Sequence, residues 1–243
     1  MPTGTEPTLP LSRCQDGPDT GRSGELRSEQ TLAEWRQILG PYGGADLRRS
    51  LTQLFTSAIM FFILWYAAYR ALSVGYWLTL LLSVPTAGFV MRLFMIQHDC
   101  GHGSFFKSRK VADLVGFWIG VLTLTPYRYW RKTHAHHHAH AGDLAFRGLG
   151  DVETITISEY RKRSFYGRLR YRIYRNPFVL LGLGGLFVFA LKHRFPWDIS
   201  KQWKREWASI WKTNAMLLVI VVLLGQTIGL KAALLVHLPV LVV

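Results

Sequence analysis

Two cysteines are too few for a disulfide framework, and their settings differ. Cys14 lies in a polar tail, Cys100 between two histidines. Acidic residues are also scarce, with 15 Asp and Glu against 29 Lys and Arg and a formal net charge of +14. No Gly-rich loop joins a strand pattern to a helix pattern, which excludes the phosphate-cradling nucleotide folds. There is no Ser/His/Asp grouping to support a nucleophilic triad and no internal repeat to build a solenoid. The chain does not begin with the charged-then-apolar layout of a secretory signal, so the N-terminus is expected in the cytoplasm.

What the chain does have is apolar length. Of 243 residues, 49% are apolar and 14% aromatic, enough for one sizeable domain. A chain both greasy and basic reads as a membrane protein whose positive charge sits on cytoplasmic loops. Nucleic-acid binding would use the charge, but it does not call for runs such as LFTSAIMFFILWYAAY (54–69), a liability in water. No nucleic-acid partner is therefore expected.

Residues 1–30 carry too few apolar groups to offset the entropy of ordering and are expected to be a disordered tail. Thr31 and Glu34 have capping-box spacing for a short surface helix that Gly40-Pro41 would stop. Membrane spans are expected at about 51–71, 73–96, 214–230 and from 231 onward. The stretch 176–191, interrupted by Gly182, Gly184 and Gly185, is either re-entrant or spanning, and 111–126 is short enough to be embedded or interfacial. A tight LSVG turn (72–75) makes the first two spans a hairpin with both ends on one side. The basic segments KSRK (107–110), RYWRK (128–132) and 161–175 mark that side as cytoplasmic. The expected fold is thus an all-α integral membrane protein, with transmembrane hairpins and a cytoplasmic helical region carrying the histidines.

Those histidines are concentrated. HDCGH (98–102) places His98 and His102 at i and i+4 on one helix face. WRKTHAHHHAHAGDL (130–144) places His134, His137 and His138 at i, i+3 and i+4, with His136 and His140 off that face. One such pair is weak evidence. Two sets on the same side of one hairpin point to a metal-ligand cluster. Imidazole suits iron, zinc, copper and nickel alike, so ligand type leaves the metal open. Asp99 and Asp143, beside the two sets, can accept imidazole N–H groups or serve as helix caps. Trp118, Tyr127, Tyr129 and Trp130 can line a dry groove or anchor the chain at the interface.

HDCGHGSFF (98–106), WRKTHAHHHAHAGDL and RGLGDVETITISEY (147–160) together closely resemble the histidine-box membrane fatty acid desaturases, most of all the bacterial acyl-lipid type. The resemblance covers about residues 30–243. It implies two iron ions held by histidines at the cytoplasmic membrane face and a fatty acyl lipid substrate drawn from the surrounding membrane lipids. It also implies O2 as co-substrate and two electrons from a ferredoxin- or cytochrome b5-type donor. Carried over by position, His98 and His102 form the first box, and His134, His137 and His138 the second. The family's third box, HxxHH or QxxHH, follows its last span. Downstream of the second box this chain has His193 and His237, neither with box spacing. The resemblance therefore implies a desaturase fragment that lacks part of the ligand set. A related di-iron hydroxylase or carotenoid ketolase is the alternative, against which the flanking GSFF and GDL speak. A histidine-rich metal transporter would need ionisable residues along its spans, and the expected spans hold almost none beyond Arg92.

Overall fold

The computed structural model describes residues 44–149, 152–197 and 199–243, with positions 34, 35, 37, 38 and 40. The chain divides into two units, Met1–Gly44 and Ala45–Val243. In the first, Glu34, Trp35, Gln37 and Ile38 are helical; the expected tail 1–30 and the Thr31 cap lie outside the described residues.

The described residues of the second unit form helices joined by turns and loops, with no strand among them. Asp46 opens α1 (Leu47–Ala71) by accepting the Arg49 N–H at 2.9 Å. After a short turn, α2 (Tyr76–His102) runs back, with Pro85 inside it. Two shorter helices follow, α3 (Arg109–Leu122) and α4 (Tyr127–Ala139). Next come α5 (Ile157–Lys162), α6 (Phe165–Arg175) and α7 (Phe178–Lys192). A second hairpin, α8 (Lys204–Thr227) and α9 (Leu230–Val242), ends the described chain. The α1, α2 and α8 helices have 25, 27 and 24 residues and are long and apolar enough to cross a membrane. At about 1.5 Å per residue each exceeds the roughly 30 Å of a hydrocarbon core.

Packing between the spans inverts the pattern of a water-soluble protein. Ser50, Ser57, Ala68 and Ala71 of α1 are buried, as are Thr79, Ser83 and Thr86 of α2. The Thr79 hydroxyl donates to the Ala68 carbonyl at 3.0 Å. Outward stand Phe55, Ile59, Phe62, Ile63, Leu81 and Val84, all exposed. Small residues let two backbones approach, and their hydroxyls find carbonyls inside the pair, while the large apolar side chains meet lipid. This is an all-α membrane protein.

Two helices extend beyond the expected membrane spans. The second runs through both histidines to His102, as their shared helix face requires, because nothing before Gly103 breaks it. The α8 helix begins at Lys204, well before the apolar stretch, since a helix does not end where its surroundings change from polar to apolar. The glycine-interrupted stretch forms α7, turned 67° from α6. Two segments of α7 are wound in wide turns, in which bonds such as His193 N–H to Val188 O (2.8 Å) join residues five apart.

Polar anchors fix the turns. Gln97 of α2, fully buried, accepts the Thr123 hydroxyl at 2.9 Å. Arg194 donates to the Leu124 carbonyl and, at 2.9 Å, to Asn214 Oδ1 of α8, whose Nδ2 returns a bond to Arg194 O at 3.1 Å. Burial draws the Arg194 pKa down to about 10, which leaves it charged at neutral pH. In the first turn of α5, Glu159 pairs with Arg147 of the preceding loop and completes a capping box with Thr156. Those bonds, that to Arg147 first, hold its carboxyl down at about 2. A depressed carboxyl stabilises the fold fully above its ordinary value and loses that effect as pH falls toward 2, so this loop latch stays closed across physiological pH.

Arg194→Ala strips partners from Leu124 O and Asn214. It should lower stability by about 2–3 kcal/mol in thermal unfolding of detergent-solubilised protein. Lys204→Ala, at an exposed position, should change it by less than about 0.5 kcal/mol.

Candidate metal centre

The last turn of α2 and the last two turns of α4 meet at one end of the α1–α2 hairpin. Each is helical for an ordinary reason, since neither HDCGH nor WRKTHAHHHA contains an interior breaker other than Gly101. That glycine is needed: a Cβ at Gly101 would sit 2.9 Å from the Trp130 ring, so only glycine lets α4 lie this close. The Trp130 ring stacks on His134, with centroids 4.6 Å apart and planes 16° apart, and its edge approaches His98.

Across this contact, ring nitrogens of His98, His102, His134 and His138 all lie within 4.8 Å of one another. His134 Nε2 is 3.3 Å from His102 Nε2 and 3.0 Å from His138 Nε2. Imidazoles about 2.0–2.1 Å from a shared ion stand about 2.9–3.4 Å apart at right or tetrahedral angles, so these spacings fit metal ligation. His98 and His134 are half-buried, and His102 and His138 face solvent. Desolvation first, then the neighbouring imidazoles of His98, His138, His102 and His137, push the His134 pKa down to about 4. At neutral pH its ring is therefore uncharged and offers a lone pair.

Acidic groups order the donors. Asp99 Oδ1 lies 3.1 Å from His98 Nδ1; a proton held there leaves His98 Nε2 free as a ligand. Asp143 is engaged otherwise, its Oδ1 accepting the Ala145 N–H at 2.8 Å at the head of the Leu144–Phe146 turn. His137 lies outside the group of four, its ring centroid 6.2 Å from that of His134 and 5.6 Å from that of His138. The remaining histidines stand apart. His136 and His140 pack together at 4.3 Å, with Phe146 against His140, and the His140 Nδ1 bonds the His136 carbonyl at 2.9 Å. His193 packs between Tyr129 and Phe189.

One carboxylate absent from the sequence reading proves central. Asp113 of α3 binds Arg131 Nη1 of α4 at 2.6 Å, Arg109 Nε at 3.3 Å and the Tyr127 hydroxyl at 3.3 Å. Arg109 in turn donates to the Cys100 and Gly101 carbonyls at 3.3 and 3.1 Å, capping the C-terminal end of α2 with a cation. Arg131 precedes His134 by one turn. Asp113 therefore ties the end of the first histidine helix to the second. The i,i+4 spacing of Arg109 and Asp113 was visible in the sequence; the link to Arg131 was not. Of the four aromatics singled out from the sequence, Trp130 joins the centre and Tyr127 joins this network. Trp118 is exposed, and Tyr129 is buried against His193.

The fatty acid desaturase family profile matches residues 73–243. A fatty acid desaturase of Bacillus subtilis is 38% identical over 220 residues, which cover 89% of this chain and 62% of that protein. An sn-1 oleoyl-lipid 12-desaturase of Synechocystis sp. is 35% identical over 100 residues, 41% of this chain and 27% of its own length. A Delta(9) fatty acid conjugase-like enzyme of Dimorphotheca sinuata is 36% identical over 108 residues, 44% of this chain and 26% of its own. The chain thus spans less than two thirds of the length of each of these relatives. No solved structure matches it.

In a Co2+ titration of the purified protein, Asp99→Ala and Asp113→Ala should each weaken binding to the histidine cluster by about 10–100-fold. Asp143→Ala should leave it unchanged.

Proposed function

The chain belongs to the fatty acid desaturase family, and we propose that it introduces a double bond into the acyl chain of a membrane lipid at the histidine centre. Four imidazoles converging at the end of a membrane-length hairpin support this reading. Acyl chains lie in the membrane, and a site at the wet end of its spans can meet them without carrying them through water.

The metal is proposed to be iron, in two ions. His98, His102, His134 and His138 serve as donors, and His137, next to His138, is one donor of the larger ligand set that a second ion requires. Iron, with O2 and two electrons, supplies an oxidant able to take hydrogen from a methylene that no side chain can attack. The chain's own residues hold and orient. Asp99 fixes the His98 ring, Trp130 covers one face of His134, and the Arg109–Asp113–Arg131 network keeps the two helices in register. Neutral imidazoles leave bound metal more positive than carboxylates would. A ferredoxin- or cytochrome b5-type protein is proposed as the electron donor. The basic segments 107–110, 128–132 and 161–175 support an orientation with the histidines and the N-terminus in the cytoplasm.

Expressed in a host without acyl desaturases, the protein should yield unsaturated acyl chains in membrane lipids by gas chromatography–mass spectrometry. They should appear only with O2 and be lost in His134→Ala. A hydroxylated acyl product in their place would overturn the desaturase reading.

A further inference from the structure

A cavity of about 540 Å³ opens between α3, α4 and α8, apart from the four clustered histidines. Its α8 wall presents Arg205, Ser209 and Lys212 at i, i+4 and i+7, a single helix face. Facing them from α4 is Arg128, whose backbone N–H reaches Ser209 Oγ at 3.2 Å and fixes the separation of the two helices. Phe117 of α3 adds an apolar surface, and Asp113 closes one edge.

The charges around this cavity are unbalanced. Neither Arg205 nor Lys212 makes a hydrogen bond or ion pair within the described residues. Arg128 Nη2 approaches Asp113 Oδ2 only to 3.6 Å, and the other oxygen of that carboxylate is already engaged by Arg131 and Arg109. Three cations therefore line one concavity whose single acid is shared with two further arginines. The Ser209 oxygen accepts from Arg128 and keeps its own proton to donate. Two guanidinium groups, an ammonium and a hydroxyl around a cavity suit a phosphate, whose oxygens can take several charge-assisted bonds at once.

The depth of the cavity selects the source of that phosphate. Lys212 is the last charged residue of α8 before 213–227, which carries no charge. An ammonium at the margin of a span reaches outward to the headgroup level. Cations gathered there face the phosphates of a bilayer, and the Phe117 side of the cavity is apolar enough to meet the glycerol and upper acyl portion of a lipid. We propose that this cavity binds the phosphate of a membrane phospholipid headgroup. The proposal rests on α8 crossing the membrane and is independent of the reaction at the histidines.

The test uses the full chain in detergent micelles, with native mass spectrometry reading bound lipid, so neither metal nor turnover enters the measurement. Phosphatidylglycerol should bind saturably, and a phosphate-free galactolipid should not. Arg205→Gln with Lys212→Gln should weaken phosphatidylglycerol binding by about tenfold or more. Arg161→Gln with Lys162→Gln, which removes the same charge elsewhere, should leave it unchanged, with helical circular dichroism confirming the fold of both variants. Equal loss in both double variants, or equal binding of the galactolipid, would overturn the assignment. Displacement of the lipid by millimolar inorganic phosphate alone would assign the cavity to a soluble phosphate and would equally overturn it.

Discussion

The distance between the two histidine helices is set by one half-buried carboxylate. Asp113 draws Arg131 from α4 and Arg109 from its own helix, and Arg109 reaches on to the carbonyls that end α2. Without that negative charge, three arginines would face one another across the junction, and the end of α2 would lose its cationic cap. The 3.3 Å spacing between the His102 and His134 ring nitrogens, which crosses from one helix to the other, depends on this bracing. A metal site tolerates little error in donor position, because ligand distances vary by only about 0.2 Å.

The membrane supplies the complementary constraint. With lipid outside, small residues and the Thr79-to-Ala68 bond join one part of α1 and α2, while Phe61, Leu93 and Ile96 are buried nearer the histidine end. This interface brings the His102 end of α2 close to the start of α1, where the Ser50 hydroxyl bonds the Phe105 carbonyl at 2.6 Å. The loop that carries GSFF is thereby anchored to the first span, and the histidines emerge at a defined height.

Polar chemistry is gathered at that same end. The histidine cluster, the Asp113 network and the cation-lined cavity under α8 all lie on α3, α4 or the adjoining ends of α2 and α8. Each uses groups that hydrocarbon would penalise heavily. Lipid recognition at the cavity and oxidation at the histidines would thus share a boundary, with the apolar bodies of the spans extending away from both.

Much of this was written along the chain. The long apolar runs dictated membrane helices, since about twenty uncharged residues have few other stable settings. The spacing of His98 with His102, and of His134 with His138, placed each pair on one face because a helix repeats every 3.6 residues. Local rules also explain the Thr156–Glu159 cap and the Asp46 cap. They did not say that His137 would lie outside the group of four while its neighbour His138 joined it, nor that Asp143 would cap a turn while Asp99 turned to a histidine. The two aspartates are engaged by neighbours one or two residues away, whereas the make-up of the group of four depends on the angle at which α4 crosses α2. That angle follows from the Trp130 ring lying over Gly101 and from Arg131 reaching Asp113, contacts between residues far apart in sequence. Periodicity along one helix determined which side chains share a face; only packing between helices decided which of those faces meet.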